Sequence, residues 1–178
     1  MAITRHTFVA LSLFAALGLG CDDGGGAADA SVTDGGSACG PDETESPNGV
    51  CVKNIPCGSD IPTFKIGLKA DGESGNYSAS IADATPSPPR QYFNAWSVDF
   101  LDKDGNPATD IAIDKARTWM PAHRHDGFVT PKWTEADDPG HFDVEKLNFW
   151  MIGPWEAQFT VTGPAGSDYV VFRVCVTK

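Results

Sequence analysis

The stretch NAWSVDFLDKDGN, residues 94–106, decides the fold class. Its first half places Trp96, Val98 and Phe100 at every second position, the spacing of a strand that buries one face. Its second half, residues 103–106, carries the Asp-Gly pair that is typical of a turn between strands. An apolar period of two residues that stops at a turn predicts antiparallel β-structure here rather than a helix.

The same period of two residues recurs from residue 63 to the end of the chain. It predicts further strands at Phe64, Ile66 and Leu68, at Tyr77, Ala79 and Ile81, at Ile111 and Ile113, and over residues 142–152, 156–162 and 169–177. The Pro-rich residues 85–89 and the Gly-Pro pairs at 153–154 and 163–164 fall between these runs. We therefore predict an all-β fold, an antiparallel immunoglobulin-like β-sandwich of about seven strands, with a small barrel as the alternative.

The first twenty residues are typical of an export signal. Arg5 and His6 form a basic start, residues 7–19 are almost wholly apolar or small, and Gly20 precedes Cys21. The end of this segment resembles a bacterial lipoprotein cleavage site, which would leave an acylated Cys21 as a membrane anchor. We therefore expect an exported protein, lipid-anchored to the bacterial cell envelope, with its domain in the periplasm or outside the cell. Plain secretion, with Cys21 in the discarded end, is the alternative.

The composition divides the chain into four segments. Residues 1–20 form the signal peptide, and residues 21–38 form a disordered Gly/Asp/Ala tether that has too little apolar surface to offset the loss of chain entropy. Residues 39–62 form a disulfide-containing entry segment, and residues 63–178 form the sandwich. The formal net charge of −11 and the lack of a basic cluster exclude nucleic acid as a partner.

Four cysteines remain beyond Cys21, and in an oxidising compartment they predict two disulfides rather than a thiolate metal site. Three pairings are open to four cysteines. We favour Cys39 with Cys51, because only a cross-link would order so polar a loop. The remaining pair, Cys57 with Cys175, would join the entry of the domain to its last strand.

The stretch WMPAHRHDG, residues 119–127, carries the strongest signal for a ligand site. In an extended backbone, residues two apart point the same way, so His123 and His125 are predicted to share one metal ion. The alternative is an exposed polar turn between two strands.

Sulfur ligands narrow the choice of metal, because a thioether favours Cu(I) over zinc. The candidates are Met120 and Met151. Strict alternation would direct Met120 away from His123, although Pro121 breaks the strand, so we expect Met151 to be the safer ligand. His141 is a further candidate, but nothing in its spacing ties it to the pair.

The order of these features resembles the YtkA-like domain, which is related to FixH-type proteins. The motifs that carry the resemblance are the run over residues 94–102 with its Gly-Asn-Pro turn, Met120-Pro121-x-His123-x-His125, Gly140-x-Phe142, and Met151-x-Gly153-x-Trp155. They span residues 63–177. This chain departs from the family pattern at Arg124, where a small residue is common, and at Pro154.

The resemblance implies an exported or membrane-attached sandwich, several members of which bind copper and are thought to supply it to respiratory oxidases. It places the metal ligands at His123, His125, Met120 and Met151. We therefore predict a membrane-anchored copper-binding protein, with Cu(I) favoured, that acts as a copper chaperone or carrier supporting respiratory oxidase assembly or copper handling in the envelope. Its expected partners are the membrane, through Cys21, and a protein that donates or receives copper.

The second hypothesis is an envelope interaction module that binds a protein or a glycan through its loops, with Trp133 and the neighbouring acidic loop at the contact. An enzyme has little support, because the sequence contains no nucleophile elbow, no acid/base pair and no cofactor motif. We therefore expect no enzymatic activity.

Overall fold

The structure is a computed structural model that describes residues 39–178. The predicted signal peptide, Cys21 and the predicted tether lie outside the described residues. Within residues 39–178, no helix is long and apolar enough to cross a membrane.

The described chain is all-β and consists of two main antiparallel sheets and one small hairpin. The strands are β1 (Glu43–Glu45), β2 (Cys51–Lys53), β3 (Lys69–Asp71), β4 (Tyr77–Thr85), β5 (Tyr92–Asp102), β6 (Ala112–Met120), β7 (His125–Asp126), β8 (Lys132–Glu135), β9 (His141–Phe149), β10 (Gly153–Gly163) and β11 (Gly166–Val176). One sheet has the order β3-β4-β5-β9-β8, and the other has the order β11-β10-β6-β7. The sandwich prediction is confirmed, with six of the seven predicted strands in the expected places and five short additional ones.

The core lies between the two main sheets and is rich in aromatic rings. Trp96 and Phe100 of β5 are buried, as their alternation predicts. Across the core, the Trp96 ring lies 6.2 Å from that of Phe172 on β11, and the Phe100 ring lies 6.0 Å from that of Phe159 on β10. These edge-to-face contacts join one sheet to the other.

The alternating residues 64–68 do not form the predicted strand. The Leu68 N–H donates to the Lys65 carbonyl (3.0 Å), which closes a turn. Gly67 has a φ of +83°, a left-handed conformation that ends any extended run. The chain therefore meets β4 first through the hydrogen bonds of Gly67 and Leu68 with Ile81, and regular strand pairing begins at β3.

The strand predicted over residues 142–152 is shorter than expected: β9 ends at Phe149. Residues 153–154, which were expected to separate two strands, instead begin β10. Pro154 pairs with Cys175 on β11, whereas pairing of β10 with β6 begins at Glu156. A proline is tolerated at this position because it lies before the part of β10 that is bonded on both sides.

Both predicted disulfides are confirmed. Cys39 and Cys51 close the loop around the β1–β2 hairpin, and Cys57 and Cys175 join the entry segment to β11. The entry segment also packs on the sandwich through Ile55, which contacts the core. It is therefore part of the folded unit.

A buried carboxylate fastens the β3–β4 turn to the start of β11. Asp168 is 3% exposed, and its oxygens accept N–H donors from Ser74, Asn76 and Tyr77 at 2.8 to 3.0 Å. The Tyr169 N–H donates to it as well, at 2.8 Å. Burial alone would raise the pKa of Asp168, but these four backbone donors outweigh burial and hold the pKa below its ordinary value.

Candidate metal centre

The candidate ligands are carried by the hairpin that joins β6 to β7. Its register pairs Trp119 with Asp126 and Met120 with His125. Four residues, 121–124, make the turn, and the N–H groups of His123 and Arg124 both donate to the Met120 carbonyl at 3.2 and 2.8 Å. These two bonds close the chain into a tight loop directly after β6.

This turn corrects the reason for which the two histidines were paired. His123 lies in the turn and not in an extended strand, and Arg124 has a left-handed φ of +56°, so alternation does not govern their side chains. The rings nevertheless come together, with their centroids 5.8 Å apart. Arg124 itself is exposed, at the outside of the turn.

Two imidazole nitrogens in this hairpin are buried without a partner. The Nε2 atoms of His123 and His125 are inaccessible to solvent, and neither has a hydrogen-bond partner among the described residues. The Nδ1 atom of His125 lies 3.0 Å from the Asp126 carbonyl. Because a carbonyl only accepts, this contact places the proton on Nδ1 and leaves the Nε2 lone pair available to a metal ion.

The ring of His125 is enclosed by indoles. Its centroid lies 4.8 Å from that of Trp150 and 5.5 Å from that of Trp155. Phe128 packs on Trp150 with a centroid distance of 4.7 Å. Gln91 donates from Nε2 to the Trp150 carbonyl (2.9 Å), which fixes the backbone on that side. The half-buried imidazole therefore packs against a cluster of aromatic rings, which limits its orientation as a preorganised ligand requires.

Both candidate sulfur residues are fully buried at this end of the sandwich. Met120 faces His125 across the hairpin, so their side chains share one face of the sheet. Met151 lies between β9 and β10, directly after Trp150, and its carbonyl accepts a hydrogen bond from Trp155 Nε1 at 2.9 Å. The two indoles that enclose His125 therefore also flank Met151.

The donor set can be narrowed further. Among residues 39–178, the one cluster of three His, Cys, Asp or Glu ligand atoms consists of Cys39, Glu43 and Cys51. The disulfide occupies both sulfurs of that cluster. The described carboxylates, cysteines and other histidines therefore do not complete a site around His123 and His125, and the methionine sulfurs are the candidate soft donors for a third ligand. Two imidazoles with thioether sulfur suit copper better than zinc, so the residues present fit a copper ion.

His141 does not join this group. It begins β9, whereas Trp150 follows the other end of that strand, about 30 Å away for nine residues of extended chain. Its Nδ1 atom lies 2.6 Å from Asp99 Oδ1, and its Nε2 atom lies 3.8 Å from Asp143. His141 therefore belongs to a polar cluster at the opposite end of the strand.

The sequence suggested that Trp133 lies in a loop, but the structure places it in a strand. It lies in β8, pairs with Val144 of β9 and is partly buried against the core. β8 is an edge strand of the five-stranded sheet, and the indole packs there against the core. This packing role weakens the case for Trp133 as a glycan contact.

The sequence analysis assigned no role in the site to Trp150, Gln91 or Gly153. Gly153 has a φ of +131°, and a Cβ built on it would lie 2.6 Å from the Ile55 carbonyl oxygen and 3.1 Å from the Met120 methyl carbon, so the backbone conformation and the close approach of Ile55 require a glycine there. The one sequence signal was WMIGPW, residues 150–155, which sets a tryptophan on each side of Met151. Gln91 is brought to the site by long-range pairing alone.

The YtkA-like family model matches residues 71–160, just over half of the chain. The match includes the β6–β7 hairpin and the loop that carries Met151. No curated protein and no solved structure gives a significant match. The chain belongs to the YtkA-like family.

Proposed function

We propose that this YtkA-like protein binds copper, with Cu(I) favoured, and carries it within the cell envelope. His123 and His125 supply nitrogen through Nε2, and Met120 and Met151 supply sulfur. The observation that carries the proposal is the pair of buried Nε2 atoms with no hydrogen-bond partner among residues 39–178. Burying a polar atom without a partner costs free energy, and a bound cation would repay that cost.

The chemistry of the donors supports a carrier rather than an enzyme. Neutral imidazoles bind copper, and the soft thioethers favour its reduced form. Neutral ligands of this kind can pass the ion to a partner by ligand exchange, without any covalent change in the protein. The residues of this chain bind, orient and shield the ion, and we propose no catalysed reaction. The recipient or donor is a copper protein of the envelope, such as an oxidase or its assembly factor.

The place of action follows from the leader. The export signal and Cys21 support a lipid-anchored protein whose folded domain lies in the periplasm or outside the cell. The two disulfides are compatible with such an oxidising compartment. A membrane anchor would restrict the carrier to partners at the same surface.

A competition titration tests the binding. The purified protein is titrated anaerobically with Cu(I) against a chromophoric chelator, beside the double variant His123→Ala/His125→Ala. We expect the double variant to lose at least about a hundredfold in affinity, because both nitrogen ligands are gone. His141→Ala is the matched control and should bind within about twofold of the wild type, since it leaves all four proposed ligands in place. Equal affinity of the double variant and the wild type would refute the site.

A further inference from the structure

The entry segment closes one side of the metal centre. Its Ile55 carbonyl approaches Gly153 so closely that a Cβ built on that glycine would lie 2.6 Å from the oxygen. The same Cβ would lie 3.1 Å from the methyl carbon of Met120. The entry segment, the start of β10 and the end of the Met120 side chain therefore meet at one point. This segment precedes residues 71–160, which the family model matches.

The Cys57–Cys175 disulfide fastens this contact. Cys57 follows Ile55 by two residues, and Cys175 is the strand partner of Pro154, which directly follows Gly153. The bridge therefore joins the entry segment to the sandwich beside the point where Ile55 reaches Gly153. The other disulfide differs, because Cys39–Cys51 closes a loop within the entry segment and does not join it to the sandwich.

We propose that the Cys57–Cys175 disulfide is a positioning element of the copper site. By holding Ile55 against Gly153, it confines the Met120 side chain on the face that it shares with His125. Without the bridge, the wall beside Met120 is free to move away and the thioether loses its fixed position, whereas the two imidazoles remain on their own hairpin. The inference rests on the proposed function and names a device that holds the sulfur ligand.

The inference makes a selective prediction. An ion that needs the thioether, such as Cu(I), should depend on the bridge, whereas Zn(II) bound through the imidazoles should not. In Cys57→Ser/Cys175→Ser, we expect the Cu(I) affinity to fall by about 10-fold to 100-fold, the usual cost of losing support for a ligand. The Zn(II) affinity should change by less than about threefold, because the nitrogen ligands keep their places.

The experiment compares this variant with Cys39→Ser/Cys51→Ser as the matched control, in the full mature chain. Chelator competition gives the Cu(I) and Zn(II) affinities, and X-ray absorption of the Cu(I) form reports sulfur in the coordination shell. We expect the sulfur contribution to decrease in Cys57→Ser/Cys175→Ser and to persist in the control. Met120→Leu should lower the Cu(I) affinity by a similar factor. Combining it with Cys57→Ser/Cys175→Ser should lower the affinity little further, because both changes remove the same interaction of the ion with the Met120 thioether.

A further variant tests the inference if Cys57→Ser/Cys175→Ser does not fold. Gly153→Ala leaves both disulfides intact and forces a Cβ between the Ile55 carbonyl and Met120, so it should give the same selective loss of Cu(I). The inference is overturned if a folded variant keeps the wild-type Cu(I) affinity, or if Cu(I) and Zn(II) affinities fall in parallel, which would indicate a merely structural role. Failure of the wild type to bind Cu(I) would instead refute the proposed function, and this inference with it.

Discussion

Met120 and His125 are direct partners across the β6–β7 hairpin, and this pairing sets the thioether of a fully buried residue beside the imidazole of a half-buried one. The arrangement follows from the length of the turn. With four residues in the loop, the last residue of β6 opposes the first residue of β7. Side chains of opposed residues share a face, so the inward position of Met120 also directs His125 inward.

The methionines can be separated by substitution. We expect Met120→Leu and Met151→Leu each to lower the Cu(I) affinity, because leucine fills a similar volume without a sulfur donor. The free energy of unfolding should change by less than about 1.5 kcal/mol in either variant, as is usual for a swap that conserves volume. Chelator competition and urea denaturation check the two expectations. A variant with full Cu(I) affinity would remove its methionine from the ligand set.

Copper binding should be visible in tryptophan fluorescence. The Trp150 ring lies 4.8 Å from that of His125, so an ion on His125 Nε2 would lie close enough to quench the emission of this indole. Titration with Ag(I), which stands in for Cu(I) without redox chemistry, should decrease the emission of the wild type. Trp150→Phe should lose a large part of this decrease, whereas Trp133→Phe, a change in β8, should retain it. Equal quenching in the two variants would place the ion elsewhere.

The two disulfides should contribute unequally to stability. Cys57 and Cys175 are separated by 118 residues and Cys39 and Cys51 by 12. Because a longer closed loop removes more entropy from the unfolded chain, we expect losses of about 5 and about 3 kcal/mol for the respective serine pairs. Guanidinium denaturation at neutral pH measures both. A greater loss from the short loop would mean that strain or residual structure outweighs loop entropy.

Asp168 should make the stability sensitive to acid. Its pKa is held below the ordinary value of 3.8, so its contribution is complete above that pH and is lost as the pH falls through the lower folded value. Asp168→Asn, which cannot accept all four N–H bonds as an anion, should cost about 2 to 3 kcal/mol at neutral pH. The difference between wild type and variant should shrink as the pH falls toward 2, measured by urea denaturation across that range.

Asp104→Asn serves as the control for that measurement. The Asp104 side chain is exposed and forms a surface ion pair with Lys103, so its removal should change the unfolding free energy by less than about 1 kcal/mol. A pH dependence that remains unchanged in Asp168→Asn would assign the acid sensitivity to other carboxylates.

Sequence periodicity was reliable where strands lie in the sandwich and unreliable near its ends. The alternation of Tyr77, Ala79 and Ile81 gave β4 correctly because each residue is buried between the sheets. The same alternation over residues 64–68 failed, since Gly67 takes a left-handed conformation that a pattern of apolar residues does not reveal. A local pattern of apolar residues does not predict where a single residue turns the chain, and Ile66 of this stretch is exposed as a result.

The candidate site was predictable in its members and not in its construction. The His-x-His spacing singled out His123 and His125, but the reason, an extended backbone, was wrong, because a tight turn brings the rings together. The aromatic cluster around His125 comes from Trp150 and Trp155, which lie at least 25 positions later in the chain. Such long-range neighbours depend on strand pairing and cannot be found from spacing alone.

The short length of β7 leaves β6 open along most of one side. β7 pairs only with Trp119 and Met120, so residues 112–117 have no strand partner on that side within the described part of the chain. An unpaired edge strand can form hydrogen bonds with a strand of a second molecule. This edge carries Asp114, Lys115 and Arg117, whose charges such pairing would bury. The charged side chains therefore disfavour the addition of a foreign strand beside the histidine turn.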